Sequence, residues 1–345
     1  MNILLIGNFA PPFEEENLHN ITLYNRLVED GDECTVINIS KHPAKDPVFI
    51  NPNGYAGYLL TLLRLAWKKD VIHFSTKGYL RVGLLKMMLS IFVAKIFRAK
   101  SIVTFHSEFF SILGQMRSPF GGTQTLNTSF YLADSIIFAD KDTYDVATMY
   151  QKRANFELVP SFIHTSHRPA ERETPLYRKL KDIRKVIVFT NIVHDSFLFE
   201  ILKEMIKSLI PSEDAVLVIS LSGGSSQDLK KQIEASSGEI KDRLIFIEQD
   251  DVQSALSVFS RADVVLRPLT CDGEMFFEKF TVSVRNILHE GNTTFFPNSL
   301  VFIKEGNSAV LCANIVKTIS SYEDGTPTGI NIQDPYERIR KIYGQ

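Results

Sequence analysis

The stretch from Asp272 to Gly291 holds the residues whose types and spacing come nearest to a chemical site. Its sequence is DGEMFFEKFTVSVRNILHEG, in which the acid Glu278 precedes Asn286 by eight positions. A regular apolar pattern then runs to Gly291 and predicts a helix that ends at this glycine. Two interpretations stay open. The stretch is either a ligand site built from an acid and a helix, with one acid replaced, or an ordinary acidic loop followed by a helix.

The composition bounds the kind of protein that could carry such a site. The chain has 345 residues, which suggests two domains that each bury a core. A formal net charge of -2 gives no overall basic field for nucleic acid. The three cysteines, Cys34, Cys271 and Cys312, are widely spaced and form neither a zinc-ligand pattern nor a disulfide framework. We therefore expect a reducing, cytoplasmic environment.

Short apolar runs alternate with helical stretches along the first half of the chain. Strands are predicted over 2–7, 33–39, 71–75, 101–107, 135–140 and 156–161, with a helix over 17–30. Continuous apolar strands separated by helices are typical of a parallel sheet that is covered on both faces.

A change in composition divides the chain. Residues 164–184 are polar, charged and contain two prolines, and a linker is predicted over 166–184. The alternation then restarts, with strands predicted over 185–191, 215–224, 243–248, 263–268 and 299–306, and helices over 197–209 and 252–262. The predicted organisation is an α/β domain over 1–165, a second over 185–330, and a C-terminal helix within 331–345 that could pack back on the first domain. Ligands of such sheets bind beyond the carboxyl ends of the strands, so we expect a site in the cleft between the two domains.

Several local motifs, together with this order of elements, resemble the family-4 glycosyltransferases of the two-Rossmann-domain (GT-B) type. NFAPPFEEEN keeps Pro11 and Pro12 of the family's Pro-Pro-x-Gly-Gly but has glutamates at the glycine positions. VTFHS is similar to the family's Thr-x-His and ends in His106 and a serine. VLVISLSGG resembles the strand and Gly-rich turn near the donor base. The resemblance covers nearly the whole chain.

The stretch around Glu278 carries the same resemblance. The family signature is Glu, seven residues, Glu, and here Glu278 takes the first position while Asn286 replaces the second acid. The segment RADVVLRPLTCDGEMFFEKFTVSVRNILHEG is also similar to a variant found among polysaccharide-assembly enzymes, in which the Asp272-Gly273 pair would be the matching element.

The resemblance implies a fold and an activity. The fold is α/β, with two Rossmann-like doubly wound domains facing a cleft. The activity is transfer of a sugar from a nucleotide-sugar donor, with retention of configuration, to a saccharide acceptor that is often lipid-linked. Enzymes of this kind build surface polysaccharides such as O-antigen or capsule. No cofactor and no catalytic metal are expected, and the location would be cytoplasmic with contact to the inner membrane surface.

The resemblance also assigns roles to residues. The catalytic candidates, which would face the transferred sugar, are Glu278, His106 and Asp272. The donor-binding candidates are Ser222, Gly223, Gly224, Arg267, Ser283, Val284, Arg285 and Asn286. The acceptor-side loop would contain Asn8, Pro11, Pro12 and Phe13.

Sugar transfer releases a diphosphate, which positive charge or backbone N–H groups must stabilise. A helix that begins within TVSVRN would present the free N–H groups of Ser283, Val284 and Arg285 to the donor. Asn286 could accept from ribose hydroxyls, though without charge. The family places an Arg and a Lys after the strand that VIVFTN resembles. Here only His194 follows, so Arg267 would have to compensate.

Residues 59–100 combine apolar side chains with many cations, and two interpretations stay open. Basic amphipathic helices lie on anionic membranes, whereas two core helices with solvated lysines would show a similar composition. The apolar run 79–97 is interrupted by Arg81, Lys86 and Lys95, which argues against a membrane-spanning helix.

Three hypotheses for function remain at the level of sequence. The first is the glycosyltransferase described above. The second is a non-enzymatic relative that binds or scaffolds an active transferase, since the Gly-Gly loop, the basic pair and the second Glu are all replaced. The third is another two-domain enzyme, such as a sugar-nucleotide epimerase.

Overall fold

The computed structural model of the chain divides into two compact units. One contains Met1–Ala10, Glu15–Phe162 and Gln333–Gln345, and the other contains Pro11–Glu14 and Ile163–Ile332. The residues that the structure describes are 1–9, 15–40, 48–76, 81–106, 122–139, 141–150, 153–164, 174–192, 199, 202–203, 205–209, 215–221, 226–236, 238–247, 252–271, 274–287, 293–303, 310, 313–314, 317 and 334–344.

Fourteen strands and nine α-helices are defined in the described residues. The strands are β1 (Asn2–Gly7), β2 (Glu33–Asn38), β3 (Phe49–Ile50), β4 (Val71–Thr76), β5 (Lys100–Phe105), β6 (Ser135–Phe138), β7 (Phe156–Leu158), β8 (Phe162–His164), β9 (Lys185–Ile192), β10 (Ala215–Leu221), β11 (Leu244–Ile247), β12 (Val264–Cys271), β13 (Glu274–Ile287) and β14 (Thr293–Ile303). The helices are α1 (Glu15–Glu29), α2 (Gly54–Ala66), α3 (Arg81–Phe97), α4 (Gly122–Leu132), α5 (Lys141–Tyr150), α6 (Pro175–Lys181), α7 (Ser226–Ser236), α8 (Val252–Arg261) and α9 (Pro335–Gly344). A π-helical turn (Met205–Leu209) and a 3-10 helix (Gly238–Arg243) complete the set.

The first unit is a doubly wound α/β domain. Its sheet has the order β3-β2-β1-β4-β5-β6-β7, and its paired strands run parallel. The chain therefore moves outward from β1 in one direction and then returns to continue from β4 in the other, as in dinucleotide-binding sheets. The strands predicted in this half are observed close to their predicted bounds, and the central ones, β1, β4 and β5, are buried over nearly their full length, as in a sheet covered on both faces.

Helices cover both faces of this sheet. On one face α2 packs against α3 and α3 against α4. Their shared core includes Leu62, Phe74, Met87, Phe105 and Phe138, all buried. On the other face lie α1 and α9, where Arg26 of α1 stacks over the ring of Tyr336 in α9, 4.2 Å from its centroid.

The C-terminal helix α9 is a built-in part of the first unit. Its residues Tyr336, Ile339, Ile342 and Tyr343 are buried. Ion pairs at its polar edge join Arg338 to Glu157 at 2.6 Å and Arg340 to Asp32, and the hydroxyl of Tyr336 donates to Asp30. Residues from the far end of the chain thus complete the layer that α1 begins.

The second unit is α/β with a mixed sheet of order β11-β10-β9-β12-β13-β14-β8. Strands β11, β10, β9 and β12 are parallel and repeat the doubly wound order. Strands β13 and β14 are antiparallel additions beside β12. The predicted α/β class is confirmed for this half, and the two antiparallel strands are an addition that the sequence did not indicate.

The largest departure from the sequence expectation is β13. A helix was expected to begin within 281–286, but 274–287 form one strand that pairs with β12 on one side and β14 on the other. Its sequence EMFFEKFTVSVRNI is rich in aromatic and β-branched residues, which favour strands, and the apolar positions taken for a helical repeat belong to the strand. The predicted linker over 166–184 likewise contains a helix, α6.

Candidate functional site

Topology points to one edge of the first sheet. The strand order reverses between β1 and β4, and ligands of doubly wound sheets bind beyond the carboxyl ends of the strands at this point. Gly7 ends β1 and Asn8 follows it, while Ser75 and Thr76 end β4. His106 follows the last residue of the neighbouring strand β5.

His106 is held in this edge by two serine hydroxyls. Its Nε2 lies 2.8 Å from Oγ of Ser75, and its Nδ1 lies 3.0 Å from Oγ of Ser161. Its backbone N–H donates to the carbonyl of Thr76 at 2.9 Å. The side chain is buried. Since hydroxyls can both donate and accept, this setting fixes the plane of the ring without fixing which nitrogen carries the proton.

A second imidazole, His19 of α1, lies against His106. The two ring centroids are 4.9 Å apart in an edge-to-face arrangement. The backbone N–H of Phe162 donates to Nδ1 of His19 at 3.2 Å, so in the neutral ring the proton is on Nε2. Burial lowers the pKa of His19 to about 3, which keeps the ring neutral near pH 7. Within the described residues its Nε2–H has no hydrogen-bond acceptor.

A close approach between α1 and the end of β1 depends on glycine at position 7. A Cβ atom built there would lie 2.8 Å from Nδ2 of Asn20 and 3.0 Å from Cβ of Ser75. Without it, Asn20 reaches the loop after β1 and donates from Nδ2 to the carbonyl of Asn8 at 2.8 Å. The glycine thus lets the helix, β1 and β4 meet at the reversal point.

The sequence analysis missed the polar face that α1 turns toward the protein. Glu16, Asn17, His19 and Asn20 are all at most 4% exposed, although helix starts are normally solvated. The signal was present, because EENLHN places five polar residues directly after the first strand and its loop. Buried polar groups in such number at one sheet edge are unusual unless they are held for binding.

His73 of β4 has a structural environment. Its Nδ1 lies 2.6 Å from the hydroxyl of Tyr343 in α9, and its Nε2 lies 2.7 Å from Oγ1 of Thr104. Burial, with a smaller contribution from His19, lowers the pKa of His73 to about 3. Both ring nitrogens are engaged on the face of the sheet that α9 covers, so His73 joins this helix to β4 and β5.

In the second unit the equivalent reversal point lies between β9 and β12. Arg267 follows Leu266, which pairs with Phe189 of β9, so its backbone lies at the carboxyl end of the parallel sheet. Glu278 lies in β13 between Met275, which pairs with Thr270, and Phe280, which pairs with Pro268. These two predicted residues therefore lie on neighbouring strands toward the same edge.

The remaining donor-binding candidates in β13 lie farther down the sheet. Val284 pairs with Val264, the first residue of β12, and Ser283 with Val265. Arg267 is three positions along β12 from Val264, which corresponds to a distance of roughly 10 Å between the two residues. Ser283 and Val284 are paired with both β12 and β14, and Asn286 is paired with β14, so the backbone here belongs to a strand. The prediction that a helix start offers free N–H groups here is therefore wrong.

Several predicted site residues lie outside the described residues. They are Pro11, Pro12 and Phe13 of the acceptor-side loop, Ser222, Gly223 and Gly224 of the glycine turn, and Asp272. In the described part of the chain, no group of three or more His, Cys, Asp or Glu side chains is arranged to hold a metal ion.

Comparison with known proteins gives likeness only at the level of solved structures. No family model and no curated protein matches the chain. Anabaena HepE in complex with UDP and glucose is 14% identical, with 77% of this chain and 73% of that chain covered and a TM-score of 0.42. S. aureus MnaA with UDP is 12% identical over 79% and 75%, with a TM-score of 0.47. UDP-GlcNAc 2-epimerase from Methanocaldococcus jannaschii, in complex with UDP-GlcNAc and UDP, is 11% identical over 78% and 79%, with a TM-score of 0.44. The fold assignment rests on the sheet orders above and not on these scores.

The edge of the first sheet is suited to neutral hydrogen bonding. Its described groups are imidazoles, hydroxyls and amides, with the Glu16 carboxylate at the start of α1. A helix start attracts anions, but the buried Glu16 carboxylate in the first turn of α1 is itself an anion at this position and repels a phosphate. Hydroxyl-rich ligands such as sugars fit this chemistry better than a diphosphate does.

Proposed function

We propose that the protein is a retaining glycosyltransferase that moves a sugar from a nucleotide-sugar donor to a saccharide acceptor. The observation that carries the proposal is the buried polar edge at the reversal point of the first sheet, where His106, His19 and Asn20 converge. In this proposal, the buried polar groups around His106 bind the hydroxyls of a sugar. The doubly wound order of both units supports it.

The two units take different ligands in this proposal. The first unit is the acceptor side, since the buried Glu16 carboxylate at the start of α1 opposes a diphosphate. The second unit is the donor side in this proposal, with the donor site at the end of β12. There Arg267 would supply positive charge to the leaving diphosphate, and Glu278 would contact the transferred sugar. Ser222, Gly223, Gly224 and Asp272 complete the proposed donor set.

The acceptor in this proposal is a lipid-linked saccharide, and the pathway class is assembly of a surface polysaccharide. Such an acceptor is presented at the cytoplasmic face of a membrane, so the enzyme would work as a peripheral protein there. Within the described residues, no helix has the length and apolar character needed to cross a bilayer.

A binding screen followed by a transfer assay tests the proposal. Stabilisation of the chain by one of UDP, GDP, CDP or ADP in a thermal-shift screen would identify the donor base, because a ligand that binds only the folded state raises its apparent stability. With that donor, Glu278→Ala should abolish transfer while leaving the melting temperature of the free protein unchanged. Glu337→Ala, an exposed acid in the first turn of α9, is the matched control and should keep full activity. Full activity in Glu278→Ala would remove this residue from the site.

One observation favours a second function, that of a non-catalytic partner of an active transferase. Strand β13 stands where the resemblance implied a phosphate-binding helix, so the expected backbone donors are engaged in a sheet. A folded chain that binds none of the nucleotides would support this second function. Release of free nucleotide without sugar transfer would instead indicate an epimerase-like reaction.

A further inference from the structure

The outer faces of α2 and α3 carry continuous apolar stripes. On α2, Leu60 and Leu63 are exposed, and Trp67 follows at the C-terminal end of the helix. On α3, Phe92 and Ile96 form the matching stripe. The spacing of three, four and seven residues places each set along one side of its helix, opposite the buried core positions.

These exposures are large for apolar side chains. Leu60 and Ile96 are each 69% exposed, and Trp67 is 64% exposed. Single exposed apolar residues are common on soluble proteins, but two aligned stripes on packed neighbouring helices make one patch. Trp67 and Phe97 join the stripes at the C-terminal ends of the helices, with ring centroids 6.0 Å apart.

The same face carries exposed cations. Residues 51–100 contain nine lysines and arginines but a single acid, Asp70, within a chain whose total charge is -2. Arg64, Lys68 and Arg98 are exposed beside the stripes, and neither helix contains an acid. Exposed tryptophan and aliphatic side chains next to cations are the composition of surfaces that bind anionic lipid.

We propose that this surface, the α2–α3 face, docks on an anionic lipid bilayer. We define it by the apolar residues Leu60, Leu63, Trp67, Phe92 and Ile96 and the cations Arg64, Lys68 and Arg98. The stripes enter the interface between headgroups and acyl chains, and the cations pair with lipid phosphates. A second copy of the chain is a poorer occupant, because the same face on both copies would bring cations against cations.

Acids near the face leave most of its charge in place. Asp134 of the neighbouring segment pairs with Lys95 at 2.5 Å, which neutralises that one cation. Asp70 accepts the backbone N–H of Asn2 at 2.7 Å, at the start of β1. The three cations that define the face have no ion-pair partner among the described residues.

The proposed function requires contact with a membrane, and the inference assigns that contact to the α2–α3 face. To this extent the inference rests on the proposed function. Its test needs neither nucleotide nor acceptor, so its failure would leave the transfer reaction untouched. Trp67 is the only tryptophan in the chain and is therefore an intrinsic probe of the face. Vesicles of phosphatidylcholine mixed with phosphatidylglycerol should shift its emission to shorter wavelength, and brominated lipid should quench it. Vesicles of phosphatidylcholine alone should change the emission far less.

Two pairs of variants separate the charge of the face from its apolar stripes. Arg64→Glu with Lys68→Glu should lower partition into the mixed vesicles by at least an order of magnitude, since each cation near an anionic surface is worth roughly fivefold. Lys231→Glu with Lys341→Glu, exposed cations elsewhere on the chain, should leave partition within about twofold of wild type by the same rule. High salt should weaken the wild type in the same direction as the first pair.

The apolar pair is Leu60→Ser with Ile96→Ser, which should abolish quenching by brominated lipid in a protein that still melts cooperatively. The matched control replaces two exposed valines elsewhere, Val28→Ser and Val310→Ser, and should bind like wild type. Unchanged Trp67 emission with the mixed vesicles would overturn the proposal. So would an emission shift that follows protein concentration without lipid, because that result would assign the face to a second copy of the chain.

Discussion

Lowering the pH should destabilise the first unit through two buried histidines, His19 and His73. Burial lowers the pKa of each to about 3, whereas an unfolded histidine titrates near its ordinary pKa of 6.5. Above pH 6.5 both states are neutral and neither histidine affects stability. Below it, the unfolded chain binds protons that the folded chain excludes, so stability falls as the pH drops from 6.5 toward 3.

The size of the effect follows from that difference in proton binding. At about pH 5, one such histidine favours the unfolded state by roughly 2 kcal/mol, and two independent ones by roughly 4 kcal/mol. His19 contacts His106, Phe162 and the backbone N–H of that phenylalanine, and His73 contacts Tyr343 and the hydroxyl of Thr104, all of them neutral groups. Glu16, three residues before His19 on α1, is also buried.

Chemical denaturation, monitored by the emission of Trp67, measures the stability of the first unit at each pH, since the only tryptophan belongs to this unit. The free energy of unfolding should fall between about pH 7.5 and about pH 5 by several kcal/mol. His73→Gln can still bond Tyr343 and Thr104 and should remove about half of that fall. An identical pH dependence in this variant would refute the assignment to His73. A flat profile in the wild type would refute it for both histidines.

Three further predictions concern single contacts. Tyr343→Phe leaves Nδ1 of His73 buried without its hydroxyl partner and should cost about 1–3 kcal/mol in the same fluorescence assay. Asp263→Ala removes a buried acceptor of an arginine and of a strand N–H, and should cost about 3 kcal/mol by circular dichroism, whereas Asp263→Asn should cost less. Gly7→Ala pushes a methyl group against Nδ2 of Asn20 and should cost about 1–3 kcal/mol in the free energy of unfolding, measured by the same fluorescence assay.

The sequence predicted the first unit well because its central strands are largely apolar, buried runs between helices. β1 and β4 are buried over nearly their full length, and such runs are hard to mistake. His106 was expected at the end of a strand predicted over 101–107, and it directly follows the last residue of β5. The contact between His106 and Ser161 could not be predicted, because it joins residues 55 positions apart and no local sequence pattern indicates it.

The second unit was harder because the same apolar spacing suits two structures. Within 281–287, apolar residues recur at intervals that fit either a helix face or a strand with one irregular step. Packing between β12 and β14 decided in favour of a strand, and the local preference of β-branched Thr281, Val282 and Val284 agrees with it. Greater weight on this preference would have predicted the strand from the sequence alone.

The strand also changes what Glu278 and Asn286 can do together. Eight residues of extended chain separate them by about 25 Å, far more than the same number would in a loop that turns into a helix. Asn286 pairs with Phe295 in β14, beyond the position where Val284 meets the first residue of β12. Glu278 lies toward the opposite end of β12, near Arg267. An acid and an amide so far apart cannot contact one sugar and its ribose. A donor bound at Glu278 must therefore be held by groups at the ends of β9 and β12.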